Sequence, residues 1–180
     1  AIPPREHWRA FPQFGQDVCY LDIETDGTSG GDSVTIIGAY DGIELQQFIR
    51  GVNLWDFPKY IESKTMIVSF FGTGFDLPVL KNCLGVSFRQ FHVDLCFLFK
   101  RLGYRGGLKS IEDRLGIERQ EIAQGLTGMD AIILWDQHMR GNKTALKRLL
   151  AYNEEDVVNM QTLLNWAMPR MTRDTFGIDL

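Results

Sequence analysis

Residues Cys19–Gly27 read CYLDIETDG. The apolar, β-rich run that opens at Val18 is a strand by composition, yet it carries Asp22 and Glu24 two residues apart. Side chains alternate along a strand, so both carboxylates share one face, while Leu21 and Ile23 point to the other and are expected in the core. Two like charges side by side repel. Such a pair is stable on a solvated face, or around a divalent cation that turns repulsion into coordination. Hard oxygen ligands suit Mg²⁺ or Mn²⁺.

Working outward, DGTSGGD is dense in Gly, Asp and Ser and reads as a loop. SVTIIGAY is a second strand, Asp41-Gly42 a hairpin turn, and IELQQFIR a third strand, giving an antiparallel meander. Asn53 is placed to cap a helix over NLWDFPKYIESK, with Pro58 in its first turn. TMIVSFF is continuously apolar, the pattern of a strand buried on both faces. Asp76 then opens a short helix that ends at Gly85. FRQFHVDL predicts another strand leading into the helix LCFLFKRLG; Ser110 and Asp113 have capping-box spacing in the next helix; and a further helix starts near Asp130. The last long helix is expected from about Thr144 to Met168, stopped by Pro169. Residues 1–16, with three prolines, read as an irregular arm, and 17–180 as one α/β domain: three antiparallel strands followed by parallel strands, flanked by helices.

Composition agrees with one folded domain. The chain has 180 residues, 44% of them hydrophobic, and no apolar run long enough to span a membrane. The first residues lack the basic-then-apolar pattern of a secretory signal. Three cysteines without CxxC spacing argue against a disulfide framework or zinc site, and suit buried thiols in a reducing cytoplasm. The net charge of −4 excludes a general nucleic-acid coat, but residues 100–148 are net positive between acidic flanks, which allows a polyanion to be held locally.

Two further acidic positions matter. Asp76 follows a glycine-containing turn after the buried strand, where an N-cap is the ordinary role but where α/β sheets also bind ligands. Tyr152 and Asp156 lie four apart on one helix face, with Leu149 and Met160 on the same stripe. That face should pack inward, so both polar groups need partners, whereas Glu154 and Glu155 point elsewhere and are expected in solvent.

The order YLDIETDG, FFGTGFDLPVL, YNEED resembles the DEDD exonuclease superfamily, of ribonuclease-H-like fold, from about Asp17 to Trp166. FHVDLCFLFKRLG and GGLKSIEDRLGI are similar to its YprB-like branch. The resemblance implies Asp22, Glu24, Asp76 and Asp156 as metal ligands and Tyr152 as a further catalytic residue. With Ala151 where the histidine subtype carries His, it implies the tyrosine subtype. It also implies two divalent cations, Mg²⁺ or Mn²⁺, and a single-stranded 3′ end of DNA or RNA as substrate, with no nucleotide cofactor. Asp22 would bridge the ions, Glu24 and Asp156 would complete one shell, and Asp76 would hold the other ion directly or through water. Phe71 stands where relatives often carry Asn, so Phe71 or Phe75 serves either as a base platform or as core. Lys143 and Lys147, with Arg140 and Arg148, form either a solvated helix face or a phosphate contact. Asp94 shares a face with His92 and is either a structural hydrogen-bonder or an outer support of the metal site. His7 and His138 lack ligand spacing and are taken as surface residues. Two other readings stay open: a catalytically idle ribonuclease-H-like module that binds nucleic acid or protein, and a structure-specific endonuclease.

Overall fold

The computed structural model describes residues 2–177. CYLDIETDG lies mostly within β1 (Val18–Thr25), followed by β2 (Val34–Tyr40), β3 (Leu45–Ile49), β4 (Met66–Ser69) and β5 (Phe91–Asp94). They form a single mixed sheet of order β3-β2-β1-β4-β5, with β1 at its centre. β1, β2 and β3 pair antiparallel, whereas β4 and β5 join parallel. The expected meander with a parallel extension is the fold observed. β1, β4 and β5 therefore end on the same edge of the sheet.

The alternation predicted for β1 holds. Leu21 and Ile23 pack with Ile67, Phe57, Ile61 and Leu80 on one face. On the other, Tyr20, Met66, Val68 and Val93 meet Met160, Leu163 and Leu164. All four residues of β4 are buried, as a strand covered on both faces requires. The helices are α1 (Phe11–Phe14), α2 (Phe57–Glu62), α3 (Asp76–Leu84), α4 (Leu95–Arg101), α5 (Leu108–Leu115), α6 (Gly128–Met139) and α7 (Lys143–Phe176). α7 touches β1, β2, β4, α4, α5 and α6. Enclosed on several sides, it buries more than one stripe, so Glu155, expected in solvent, is buried.

Several boundaries differ from expectation. Pro169 lies inside α7, which runs on to Phe176 and ends at Gly177 in the left-handed conformation (φ 66°). An interior proline costs about 3 kcal/mol; burial of Met168 and Met171 on either side of it offsets that loss. Asn53 does not cap α2. Its side chain accepts from the Ile49 N–H at 2.7 Å and donates to the Gln47 carbonyl at 3.2 Å, fixing the exit of β3. α5 starts at Leu108 after Gly107, two residues before Ser110, so no Ser110–Asp113 box forms. The capping box belongs to α6, between Thr127 and Asp130. Of the cysteines only Cys19 is buried, its thiol pushed up to about 12 by burial, while Cys83 and Cys96 are partly exposed and all three are free.

The stretch read at 1–16 as an irregular arm folds, from Pro4 onward, into short helical turns. A 3₁₀ helix spans Pro4–Ala10, then α1, then a 3₁₀ turn at Gly15–Asp17. Pro4 and Pro12 fall in the first turns of their helices, where the missing N–H breaks no hydrogen bond. Trp8 and Ala10 are buried in the same core as β5 and α7. His7, expected on the surface, is half-buried; its Nδ1 accepts from the His92 N–H of edge strand β5 at 3.0 Å.

Trp8 tests whether this segment is part of the domain. Trp8→Ala should lower unfolding free energy by about 3–5 kcal/mol, the cost of truncating a buried Trp. Urea unfolding measures it; a loss below about 0.5 kcal/mol, as for a surface position, would mean that the segment is a loose arm.

Candidate metal centre

Asp22 and Glu24 project from one face near the C-terminal end of β1, and α7 crosses that face. α7 supplies Tyr152, Asn153 and Asp156, all buried. One carboxylate oxygen from each of Asp22, Glu24 and Asp156 lies within 4.8 Å of the other two.

How α7 comes so close depends on a glycine. Asp22 pairs across the ladder with Gly38 of β2. A Cβ at Gly38 would run into the Asn153 amide oxygen. With that space free, Asn153 Nδ2 donates to Asp22 Oδ2 at 3.1 Å, while its own oxygen accepts from Gln47 Nε2 at 3.1 Å. One amide thus ties β1, β3 and α7 together and orients the Asp22 carboxylate.

Asp76 is buried at the first residue of α3. It makes no N-cap bond. Its Oδ1 accepts from the Ile23 N–H of β1 at 3.1 Å, so α3 is anchored to the central strand between the two acidic residues. Asp76 therefore stands beside the three-carboxylate cluster, and its charge is felt there. Asp94 binds backbone: Oδ1 accepts from the Phe71 N–H at 2.8 Å and from Cys96 N–H at 3.2 Å, and Oδ2 from the Thr73 N–H at 3.0 Å. It fixes the β4–α3 loop and caps α4. Phe71 and Phe75 are each about half exposed on that loop, and Phe75 borders the cleft at Glu24. Lys143 and Lys147 are exposed at the start of α7. At about 100° per residue, Lys147 is roughly opposite Asp156, so neither lysine is brought to the cluster.

The electrostatics are those of a site short of positive charge. Burial pushes the Asp22 and Glu24 carboxyls well above their usual range, and the nearby Asp156 charge adds to both shifts. Burial also raises Asp156, against the opposing pull of Arg119. Glu24 Oε1 is buried with no hydrogen-bond partner. Hard, buried oxygens that repel one another, one of them orphaned, fit a divalent cation by their chemistry.

Two cations escaped the sequence reading. Arg119, in the segment between α5 and α6, has its side chain only 8% exposed and donates to Glu112 at 2.6 and 2.8 Å and to Asp156 at 2.5 Å. Glu112 is itself buried and also accepts from Asn159 at 3.2 Å. Lys109 of α5 donates to the Tyr152 hydroxyl at 2.7 Å and to the Leu126 carbonyl. In sequence, Lys109, Glu112 and Arg119 look like a solvated charged stretch; no spacing marks a pairing 37 residues apart. Tyr152 faces two small clefts of about 250 and 300 Å³ on either side of the cluster. Burial first, then Asp156 and Glu24, raises its phenol far above the ordinary value, so it stays protonated.

A sheet of this order, with carboxylates on its central strand and on a helix crossing it, defines a ribonuclease-H-like domain. The chain belongs to the RNase H superfamily, whose family model matches residues 19–168. Among solved structures it is similar to a family B DNA polymerase from the hyperthermophilic archaeon Pyrobaculum calidifontis, with TM-score 0.65 and 20% identity over 84% of this chain. It spans 24% of that polymerase's length, and the likeness at this identity is one of fold. No curated protein sequence matches it significantly. No described helix is long and apolar enough to cross a membrane.

Asp76 carries a pH signature. Burial lifts its carboxyl from 3.8 to about 7, although hydrogen bonds from backbone N–H groups pull the other way. The folded protein thus binds this proton more tightly than the unfolded chain does. The ionised form weakens the fold above about pH 7, and the penalty fades as pH falls toward the unfolded value near 4. Asp76→Asn keeps an oxygen for the Ile23 N–H. With chelator present it should melt roughly 3–10 °C above the wild type near pH 8, the gap shrinking to less than half by about pH 5 and closing near pH 4. Melts across that range showing no gap, or one independent of pH, would rule this out.

Proposed function

We propose that this chain is a divalent-metal-dependent nuclease of the DEDD tyrosine subtype that removes nucleotides from the 3′ end of a single nucleic-acid strand. The observation that carries the reading is the cluster of half-buried Asp22 with buried Glu24 and Asp156 beside Tyr152, at the sheet edge of an RNase H superfamily domain. Membership of that superfamily, and likeness of fold to part of a DNA polymerase, support nucleic acid as the substrate.

Asp22, oriented by Asn153, would be a shared ligand of the divalent cations. Glu24 and Asp156 would hold the metal with it, and Asp76 would contribute directly or through water. Divalent cations held there would supply an acidified water and positive charge for the oxygens of phosphodiester hydrolysis. Tyr152 positions that water. A phenol that stays protonated is a donor rather than a base, and because its oxygen accepts from Lys109, its own proton is free to point at water or phosphate. The Lys109 ammonium adds positive charge where a scissile phosphate would lie.

A second reading, a catalytically idle module binding nucleic acid or protein, draws on Arg119. Its guanidinium on Asp156 neutralises part of the cluster without any metal.

Hydrolysis of 3′-labelled and 3′-blocked DNA and RNA oligomers in Mg²⁺ and Mn²⁺ tests the assignment. Asp22→Asn and Asp156→Asn should each slow hydrolysis more than about 100-fold, beyond the loss of an outer-shell partner, and should weaken Mn²⁺ binding measured by electron paramagnetic resonance. Undiminished degradation by both variants would sink the nuclease assignment; wild-type protein that binds no Mn²⁺ would favour the idle module. Cleavage of circular strands would point to an endonuclease.

Tyr152→Phe should cut the rate about 100-fold or more with Mn²⁺ affinity unchanged. Unaltered kinetics would remove Tyr152 from the chemistry.

A further inference from the structure

Phe71 is unusual in its backbone. Among the described residues it is the one non-glycine with positive φ (63°), a region that a bulky side chain enters only under constraint. The constraint is visible: the buried Asp94 carboxylate accepts from both the Phe71 and Thr73 N–H groups. What this strained loop does is hold a phenyl ring outward. Phe71 stays 48% exposed, so core packing does not explain the conformation. Its ring lies over Gly74, where a Cβ would come within 2.5 Å of it. It faces Phe97 of α4, 50% exposed, with ring centroids 6.4 Å apart and planes at 45°.

Phe97 is also the rim of a cavity of about 650 Å³ between α4 and the N-terminal helical segment. Arg5, Arg101 and His7 line it. Arg5 is exposed and makes no ion pair among the described residues; Arg101 pairs with Glu6. Half-exposed aromatic rings leading into a cavity edged by guanidinium groups suit stacked bases with phosphates alongside.

Placement relative to the acidic cluster fixes the occupant. β1, β4 and β5 are parallel neighbours, so Glu24, the Phe71 loop and Asp94 stand along one edge of the sheet. The step from β1 to β5 is about 10 Å, two strand spacings. That is about three stacked nucleotides at ~3.4 Å each. Phe75 lies at the cleft of the cluster itself.

We infer that Phe71, Phe97 and the cavity beyond them form a subsite for the unpaired bases that follow the terminal nucleotide of a single nucleic-acid strand whose end lies in the acidic cluster. The subsite rests on the nuclease reading for its direction, but its binding needs no metal. A single strand lies across it with bases on the two rings and phosphates beside Arg5; a duplex end cannot, because its bases are already stacked and paired.

The test is binding in chelator, where no hydrolysis occurs, to matched DNA and RNA twelve-mers carrying 2-aminopurine at each of the first six positions from the 3′ end. Quenching of its fluorescence should peak about two to four nucleotides from the end. Phe97→Ala, on an exposed helix position, and Phe71→Asn, a residue that tolerates positive φ, should each weaken binding about five- to hundredfold and abolish that quenching. Arg5→Ala should make the salt dependence of binding shallower by about one ion. Melting curves establish that the variants are folded. Affinity and quenching like wild type in both Phe variants, or no binding by the wild type, would overturn the subsite. If the variants bind normally while Mg²⁺-dependent hydrolysis proceeds, the subsite fails and the nuclease stands. If both lose binding but no metal supports hydrolysis, the subsite stands without the chemistry.

Discussion

Everything in this structure is arranged around one electrostatic conflict. Three carboxylates, Glu24 and Asp156 buried and Asp22 half-buried, lie within 4.8 Å of one another, with Asp76 close beside them. Left alone, such a group would be driven apart or protonated. Three of these four carboxylates are instead held by different parts of the chain, while Glu24 keeps a buried oxygen without a partner. Asn153 fastens Asp22, the Ile23 N–H fastens Asp76, and Arg119 fastens Asp156 while itself leaning on Glu112. The sheet and α7 act as a frame stiff enough to keep like charges together, which is the condition for holding a hard cation tightly.

The residues of the acidic cluster were legible in the sequence because their signals are local. Two residues of spacing on a strand put Asp22 and Glu24 on one face, and four on a helix did the same for Tyr152 and Asp156. Leu21 and Ile23 were readable as core for the same reason. The balancing charges were not legible. Arg119 meets Asp156 across 37 residues and Lys109 meets Tyr152 across 43, through an irregular segment with no period to read. Asp76 shows the intermediate case. Its position after a buried strand was informative, but the acceptor role that looked like a helix cap is spent on the neighbouring strand.

The boundary errors have a common cause. Proline and asparagine were read by their local habits, as helix stop and helix cap. Tertiary burial overrode the first at Pro169, where α7 gains more from packing than it loses in one hydrogen bond. A competing backbone partner took the second at Asn53. The N-terminal residues were misread in the same way. Prolines that break a helix interior are welcome in first turns, and Trp8 provides the burial that makes short turns worth ordering.

The turns around His7 have a consequence for the molecule among its own copies. β5 is the last strand of the sheet, and an open strand is a template on which another chain can pair. Here the free backbone donor of His92 is already taken by an imidazole, with the aromatic rings of His7 and Phe14 packed against Phe91. The segment is thus a plug: it occupies one edge of the sheet, where the backbone of another chain could otherwise pair.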